Sequence, residues 1–315
     1  MLRQQQIHPQ LQFARESLWA GPLDDYGYQD TREAGPSCWP SAELLSKPAR
    51  REIVDRSHLV ACHGEHLNVK DLADCNPFVI LGATGATGQQ LARDLHARGA
   101  QLRLIARDVT KLAELADSLG AEQTILAGAD AASVRDALMD SCKESPAAGI
   151  AHCIGSLLLK PAKRTTVEEW HSVIETNLSS AFGVTMAAAD CMKAGGSVVF
   201  CSSVAASLGL ANHEAIAAAK AGLVGLARAA AASHLRRKIR FHCVAPALVE
   251  SQMTEQMLGR AGMREAAAKQ NPLGRIGTPG DISRAIMFLL DPQNDWIDGQ
   301  VLGVDGGFGS LRGLA

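Results

Sequence analysis

Apolar positions recur along this chain in two rhythms, and the alternation between them sets out the elements. Phe78–Leu81 is an unbroken apolar run, the mark of a strand buried on both faces. A glycine-rich turn follows. Leu91 and Leu95 then sit one turn apart on an amphipathic helix that Gly99 stops. Gln101–Ala106 reads as a second strand, and Leu112, Leu115 and Leu119 mark a helix ending at Gly120. Thr124–Leu126 is a short strand, Ser133–Cys142 a helix, and Gly149–Ile154 a strand ending at Gly155. One long helix carries Trp170, Val173, Ile174, Asn177, Leu178, Ala181 and Phe182. Ser197–Cys201 is a strand, an alanine-rich helix runs from about His213 to Arg236, and the strand Arg240–Val244 closes on Pro246. Two further helices lead to a last strand, Val301–Val304. Such alternation predicts an α/β fold with a parallel sheet covered by helices on both faces, in one domain spanning residues 77–315. Its expected core includes Val79, Leu81, Leu104, Ile150, Val198, Phe200 and Val244.

Residues 1–76 break the rhythm. They hold Pro9, Pro22, Pro36, Pro40 and Pro48, the run Gln4–Gln6, and no long helical pattern. They also hold Trp19, Trp39, Tyr26 and Tyr28, whereas disordered tails are poor in aromatics. Glu16, Asp24, Asp25, Asp30 and Glu33 do not suit an organellar targeting peptide, although a cleavable presequence remains open for the first dozen or so residues. The segment reads as an irregular extension that docks on its own domain or on a partner subunit, within a larger organellar assembly in one version. A poorly ordered presequence and linker is the rival. Tyr26 and Tyr28 are the only tyrosines in the chain.

Composition narrows the function classes. The chain has 315 residues, 47% hydrophobic, and a net charge of −2, enough for one large core and too neutral for binding nucleic acid by bulk charge. No uninterrupted apolar run reaches about 18 residues, so no membrane span is expected. Cys153, Cys201 and Cys243 fall in expected strands as buried thiols, which suits a soluble protein in a reducing compartment. A plastid, a mitochondrion and the cytoplasm all stay open. Cys62, His63 and His66 are too compact and incomplete a set for zinc, and no metal site is expected.

The turn between the first strand and helix, GATGATG, supplies Gly82, Gly85 and Gly88, with Thr84 and Thr87 among them. Glycines there let backbone N–H groups approach a pyrophosphate at the positive helix end, the dinucleotide site of a Rossmann-type sheet. Arg107 ends the second strand, where an acid would hold a ribose hydroxyl of NAD and an arginine accepts the 2′-phosphate of NADP. NADP(H) is therefore expected ahead of NAD(H), with Asp108 blurring the choice. Asp130, after the third strand, is a candidate for the adenine.

From about residue 77 to 310 the chain resembles the short-chain dehydrogenase/reductase family. Asn271–Pro292 (NPLGRIGTPGDISRAIMFLLDP) and Trp296–Gly307 (WIDGQVLGVDGG) look like the ending of its ketoacyl-reductase-like branch. VAPALVES, Val244–Ser251, resembles that branch's proline–glycine turn, with Ala247 in place of glycine. The resemblance makes Asn177 the helix asparagine, Ser203 the catalytic serine and Lys220 the catalytic lysine, which also binds the cofactor ribose. It puts Gly155 at the end of the family's Asn-Asn-Ala-Gly, read here as His152–Cys153–Ile154–Gly155, and Ser251 against the nicotinamide amide. The glycine spacing is nearer the family's extended and atypical branches. The family's catalytic tyrosine lies thirteen residues after the serine and four before the lysine, and both counts land on Ile216.

An isoleucine has no proton to give, and losing a general acid costs roughly 10²–10⁴ in rate. His213 is one candidate substitute, with a suitable pKa and a place seven residues before Lys220 on the same expected helix; a solvent-facing helix start is the plainer reading. Glu214 reads as a first-turn acid. Lys160, Lys163 and Arg164 are either an attractor for an anionic substrate or a solvated basic loop. Two functions follow: an NADP(H)-dependent oxidoreductase of a small carbonyl or alcohol with an altered proton donor, or a catalytically inactive accessory subunit that keeps the fold for binding. Self-association is expected through the Asn177 helix and the helix of Lys220, whose Ala217, Ala218, Ala219, Ala221, Gly222 and Gly225 allow close approach.

Overall fold

The computed structural model describes residues 72–311. Trp19, Trp39, Tyr26, Tyr28 and the Cys62, His63, His66 group lie outside the described residues, as does the docking of residues 1–71. Seven parallel strands form one sheet in the order β3-β2-β1-β4-β5-β6-β7. They are β1 (Phe78–Leu81), β2 (Leu102–Ala106), β3 (Glu122–Ile125), β4 (Gly149–His152), β5 (Gly196–Cys201), β6 (Ile239–Pro246) and β7 (Val301–Val304). The strand order reverses between β1 and β4, which opens a crevice at their C-terminal ends.

Alternate side chains on each strand feed two cores. Val79, Leu81, Ile150, Val198 and Phe200 pack beneath α3 (Ala131–Ser141), α5 (Ser180–Cys191) and α6 (Glu214–His234). Phe78, Ile80, Leu104, Val199 and Val244 pack beneath α1 (Ala86–His96), α2 (Val109–Leu119) and α9 (Pro279–Leu290). Every expected core residue is fully buried. Leu72 joins the second core and its N–H donates to the Arg98 carbonyl, so packing begins a few residues before Pro77. Buried cations are satisfied: the Arg103 guanidinium reaches Glu122 and Ser145, and that of Arg240 reaches the carbonyls of Asp291, Asn294 and Ile297.

Several expected boundaries move. The long helix is three pieces: α4 (Val167–Ile174), a wide π-turn (Glu175–Ser179) and α5. Three helices, not two, join β6 to β7: α7 (Gln252–Leu258), α8 (Met263–Gln270) and α9. Gly262, at φ +74°, starts α8 separately from α7. Asn212, at φ +63°, turns the chain just before α6, so His213 caps that helix instead of lying on its face. The stretch Glu214–Arg237 is long and apolar enough, at mean hydropathy 1.4, to span a bilayer by length and composition alone. Its Leu223, Ala227, Ala230 and Ala231 instead pack on the sheet.

His152 and His242 are fully buried; neither ring nitrogen of His242 nor Nδ1 of His152 has a partner. Burial pushes their pKa values down to about 3 and about 4. Such imidazoles take up protons in the unfolded chain first, so stability falls as pH drops from about 6.5 toward 4. At about pH 5.5 each costs about 1.4 kcal/mol. Thermal melts across that range should show the loss, and His242→Leu should remove about half of it, His152 carrying the rest; an unchanged acid slope in the variant would contradict the assignment.

Candidate functional site

The crevice is a cleft of about 760 Å³. Its first wall is the turn between β1 and α1. Gly82 has φ +78°, and a Cβ there would stand 2.8 Å from the Cys153 carbonyl carbon and the Ile154 nitrogen. A Cβ on Gly88 would meet the Gly82 oxygen at 2.4 Å. Both positions thus exclude any side chain, and the backbone itself faces the cleft. Gly85 caps α1 with no side-chain hydrogen bond, whereas Asp108, Asp130, Thr166, Ser251 and Thr278 each cap their helices through a side chain. Thr84, Gly85, Thr87 and Gly88 line the cleft beside the free N–H groups of α1.

Arg107 is exposed at the end of β2, lines the cleft and makes no ion pair among the described residues. The Asp108 carboxylate accepts from the Lys111 N–H and pairs with its ammonium at 3.3 Å, which removes it as a competitor for the same position. Hydrogen bonding to the Lys111 backbone holds Asp108 below the usual carboxylate range. Lys111 also lines the cleft. Its place one turn into α2 behind Asp108 is the signal that would have found it. Asp130 is not brought in: its carboxylate caps α3 by accepting from the N–H and hydroxyl of Ser133, and it does not line the cleft.

The second wall gathers the polar set. The π-turn presents Asn177, fully buried, toward the end of β4. Asn177 Nδ2 donates to the Val173 carbonyl and to Ser156 Oγ, and its Oδ1 accepts the Ser156 N–H at 3.1 Å. Gly155 leaves room for this: a Cβ there would lie 3.2 Å from Asn177 Oδ1 and 3.5 Å from Lys220 Nζ. Lys220 Nζ donates to the Cys201 carbonyl at 2.7 Å, and burial lowers its pKa. Ser202 Oγ donates to the Lys220 carbonyl and fixes that turn of α6 against β5. Ser203 lines the cleft, with Oγ accepting the Ala205 N–H at 3.1 Å. Ser156 and Ser202 carry no motif of their own in the sequence and emerge only from these contacts.

Ile216 also lines the cleft, but is 4% exposed and packed with Val173, Ala215, Ala219, Leu158, Ile174 and Leu178. His213 lines the cleft mouth and spends Nδ1 on the Ala211 carbonyl at 2.8 Å. A carbonyl only accepts, so Nδ1 carries the hydrogen and Nε2 is the acceptor of the neutral ring. Ser251 lines the cleft while capping α7 in a reciprocal pair with Thr254. Lys160 pairs with Glu169 at 2.7 Å, and Lys160, Lys163 and Arg164 do not line the cleft. The lining also includes apolar Leu157, Leu159, Leu210, Met253, Met257 and Phe308, together with polar Gln252, Gln270, Asn271 and Arg275. Cys153 lies just past the end of β4, and with Cys201 it is half-buried, packed against the second core on one side and lining the cleft on the other.

A reversing parallel sheet, a side-chain-free turn at its crevice and an Asn–Ser–Lys set define a dinucleotide-fold oxidoreductase. Residues 82–309 match the family described as enoyl-(acyl carrier protein) reductase. The chain belongs to the short-chain dehydrogenase/reductase family. It is 31% identical over 239 residues to a tropinone reductase homologue of Arabidopsis thaliana, covering 73% of this chain and 90% of that one. It is 32% identical over 234 residues to a 3-oxoacyl-[acyl-carrier-protein] reductase of Salmonella typhimurium, covering 73% and 95%. A solved short-chain dehydrogenase/reductase of Mycobacterium ulcerans superposes with TM-score 0.71 at 25% identity, covering 76% and 91%.

Packing at the turn sets a direct test. Gly88→Ala forces a methyl against the Gly82 carbonyl and should cost about 1–3 kcal/mol, a fall of several degrees in Tm. Gly225→Ala, in the interior of α6 where a Cβ meets nothing within 4 Å, should instead raise Tm slightly through helix propensity, a gain of about 1 kcal/mol at most.

Proposed function

We propose that this protein binds NADP(H) in the cleft and that its proton relay is interrupted at Ile216, leaving carbonyl reduction slow or absent. The observation that carries the reading is the apolar seat of Ile216 between α4 and α6, where no acidic hydrogen is on offer. The cradle fits the group: the backbone of the Gly82–Gly88 turn and the free N–H groups of α1 suit a pyrophosphate. Arg107 and Lys111 suit a 2′-phosphate. Bound there, the nicotinamide would supply or accept a hydride. Lys220, held by the Cys201 carbonyl, suits the ribose, and Ser251, at the cleft lining, suits the amide. Ser203 orients a substrate oxygen and is a poor acid, while Asn177 is committed to Ser156 and Val173 and orders the floor of the site. An oxyanion formed against Ser203 would therefore wait for a proton from water.

The same apolar seat favours a second reading, a catalytically inactive subunit kept for binding. Phe182 and Met186, one turn apart on α5 and 50% and 43% exposed, offer a surface for self-association or a partner. Gly222 does not lie on that surface: its Cα packs against Leu178.

Calorimetry with both cofactors tests the first half. NADPH should bind more tightly than NADH, and Arg107→Ala should weaken NADPH by about tenfold or more, the loss of one charge-assisted contact, with NADH little changed. Equal affinities would refute the preference. A carbonyl panel with NADPH tests the second half. The unmodified protein should turn over slowly or not at all, and Ile216→Tyr should raise the rate by up to roughly 10²–10⁴. Rapid turnover abolished by His213→Ala would instead make the histidine the donor.

A further inference from the structure

Two sulfurs stand in the floor of the cleft. The register pairs His152 with Phe200, so Cys153 and Cys201 face each other across the ends of neighbouring parallel strands. Adjacent strands run about 4.7–4.9 Å apart, inside the Cα separation that a disulfide spans. The two Sγ atoms are 3.8 Å apart, so they must close by about 1.8 Å to bond. Both residues line the cleft, which gives a small oxidant a route to them. Hydrogen bonding from Cys153 lowers the Cys201 pKa, and the Lys220 ammonium acts the same way against the cost of burial.

We propose that Cys153 and Cys201 are a reversible dithiol–disulfide site, and that closing the bond opposes dinucleotide binding. The second half rests on the NADP(H) reading above. The backbones of the two cysteines hold the two ends of the cofactor site. The Cys153–Ile154 peptide packs on Gly82, whose Cβ position is 2.8 Å from it, and the Cys153 N–H donates to the Leu81 carbonyl. The Cys201 carbonyl anchors Lys220 Nζ. Drawing the sulfurs together pulls on the phosphate turn and on the lysine at once.

The oxidant is a small-molecule disulfide such as glutathione disulfide. The Cys201 thiolate attacks one of its sulfurs, forming a mixed disulfide and releasing one glutathione thiolate. Cys153 gives its proton to solvent and attacks the Cys201 sulfur, forming Cys153–Cys201 and releasing the second glutathione. Two protein thiols lose two electrons and two protons, and glutathione disulfide becomes two glutathiones. Coupling between disulfide and dinucleotide must be reciprocal.

The full chain equilibrated in glutathione redox buffers, trapped with an alkylating agent and digested with trypsin, tests this. Cys153 falls in the peptide 144–163 and Cys201 in 194–220, each with a single cysteine. The expected result is a joined 144–163/194–220 peptide, separated by dithiothreitol, lost in Cys153→Ser and Cys201→Ser and retained in Cys142→Ser. Saturating NADP⁺ should shift the midpoint value of [glutathione]²/[glutathione disulfide] at least about fivefold toward oxidising conditions. Oxidised protein should bind NADP⁺ more weakly by the same factor in calorimetry. No joined peptide at any ratio, or only glutathione adducts, overturns the site. A joined peptide whose midpoint ignores NADP⁺, in protein shown by calorimetry to bind it, overturns the coupling. A joined peptide in protein that binds no NADP⁺ overturns the coupling and the cofactor reading while the dithiol site stands.

Discussion

Where β1 and β4 part, two backbones touch with no side chain between them. The Gly82 turn rests on the Cys153–Ile154 peptide so closely that a single methyl would collide with it. Everything at the cleft depends on that contact. It brings the start of α1 over the end of β4, sets Gly155 beneath Asn177 and Lys220, and leaves backbone N–H groups as the lining of one wall. A protein interior packs at crystal density, so such a contact transmits displacement and does not absorb it. The crevice is therefore stiff at its floor, and its variable chemistry is carried by the side chains around the rim.

That division is visible in how the polar side chains of the cleft are held. Asn177, Ser203 and Lys220 are each held by backbone partners that would hold them equally with or without a working acid beside them. Ile216 packs among apolar neighbours from α4 and α6, a seat that leaves no buried polar partner unsatisfied beside it.

Local chemistry was legible in the sequence wherever it was also local in space. The β1–turn–α1 unit, the strands buried on both faces and Arg107 at its strand end follow from runs of a few residues. What escaped is what tertiary contact decides. A π-turn has no signature in a periodicity of 3.6, so one long helix stood for three pieces. Asp130 was assigned to adenine from its place after β3, but a carboxylate preceding a helix is claimed first by the helix's own N–H groups. Gly262 adopts left-handed backbone and starts a separate helix, and Asn212 is also left-handed just before α6, which leaves His213 at the helix cap. Cys153 sits against the second core as its apolar surroundings predict, but β4 ends one residue before it, which also opens it to the cleft. Ser156 and Ser202 act only through residues far off in the chain.

The unfinished start of α1 has a meaning beyond recognition. Its neighbours α2 and α9 carry their own caps, so they are complete as soon as the chain folds. An anion seated on the turn would complete α1, and any such ligand raises the free energy of unfolding in proportion to the logarithm of its concentration. The lifetime of the chain inside a cell would then track the abundance of a small metabolite: well supplied, the protein persists; starved, it loses that stabilisation and is cleared sooner by proteolysis.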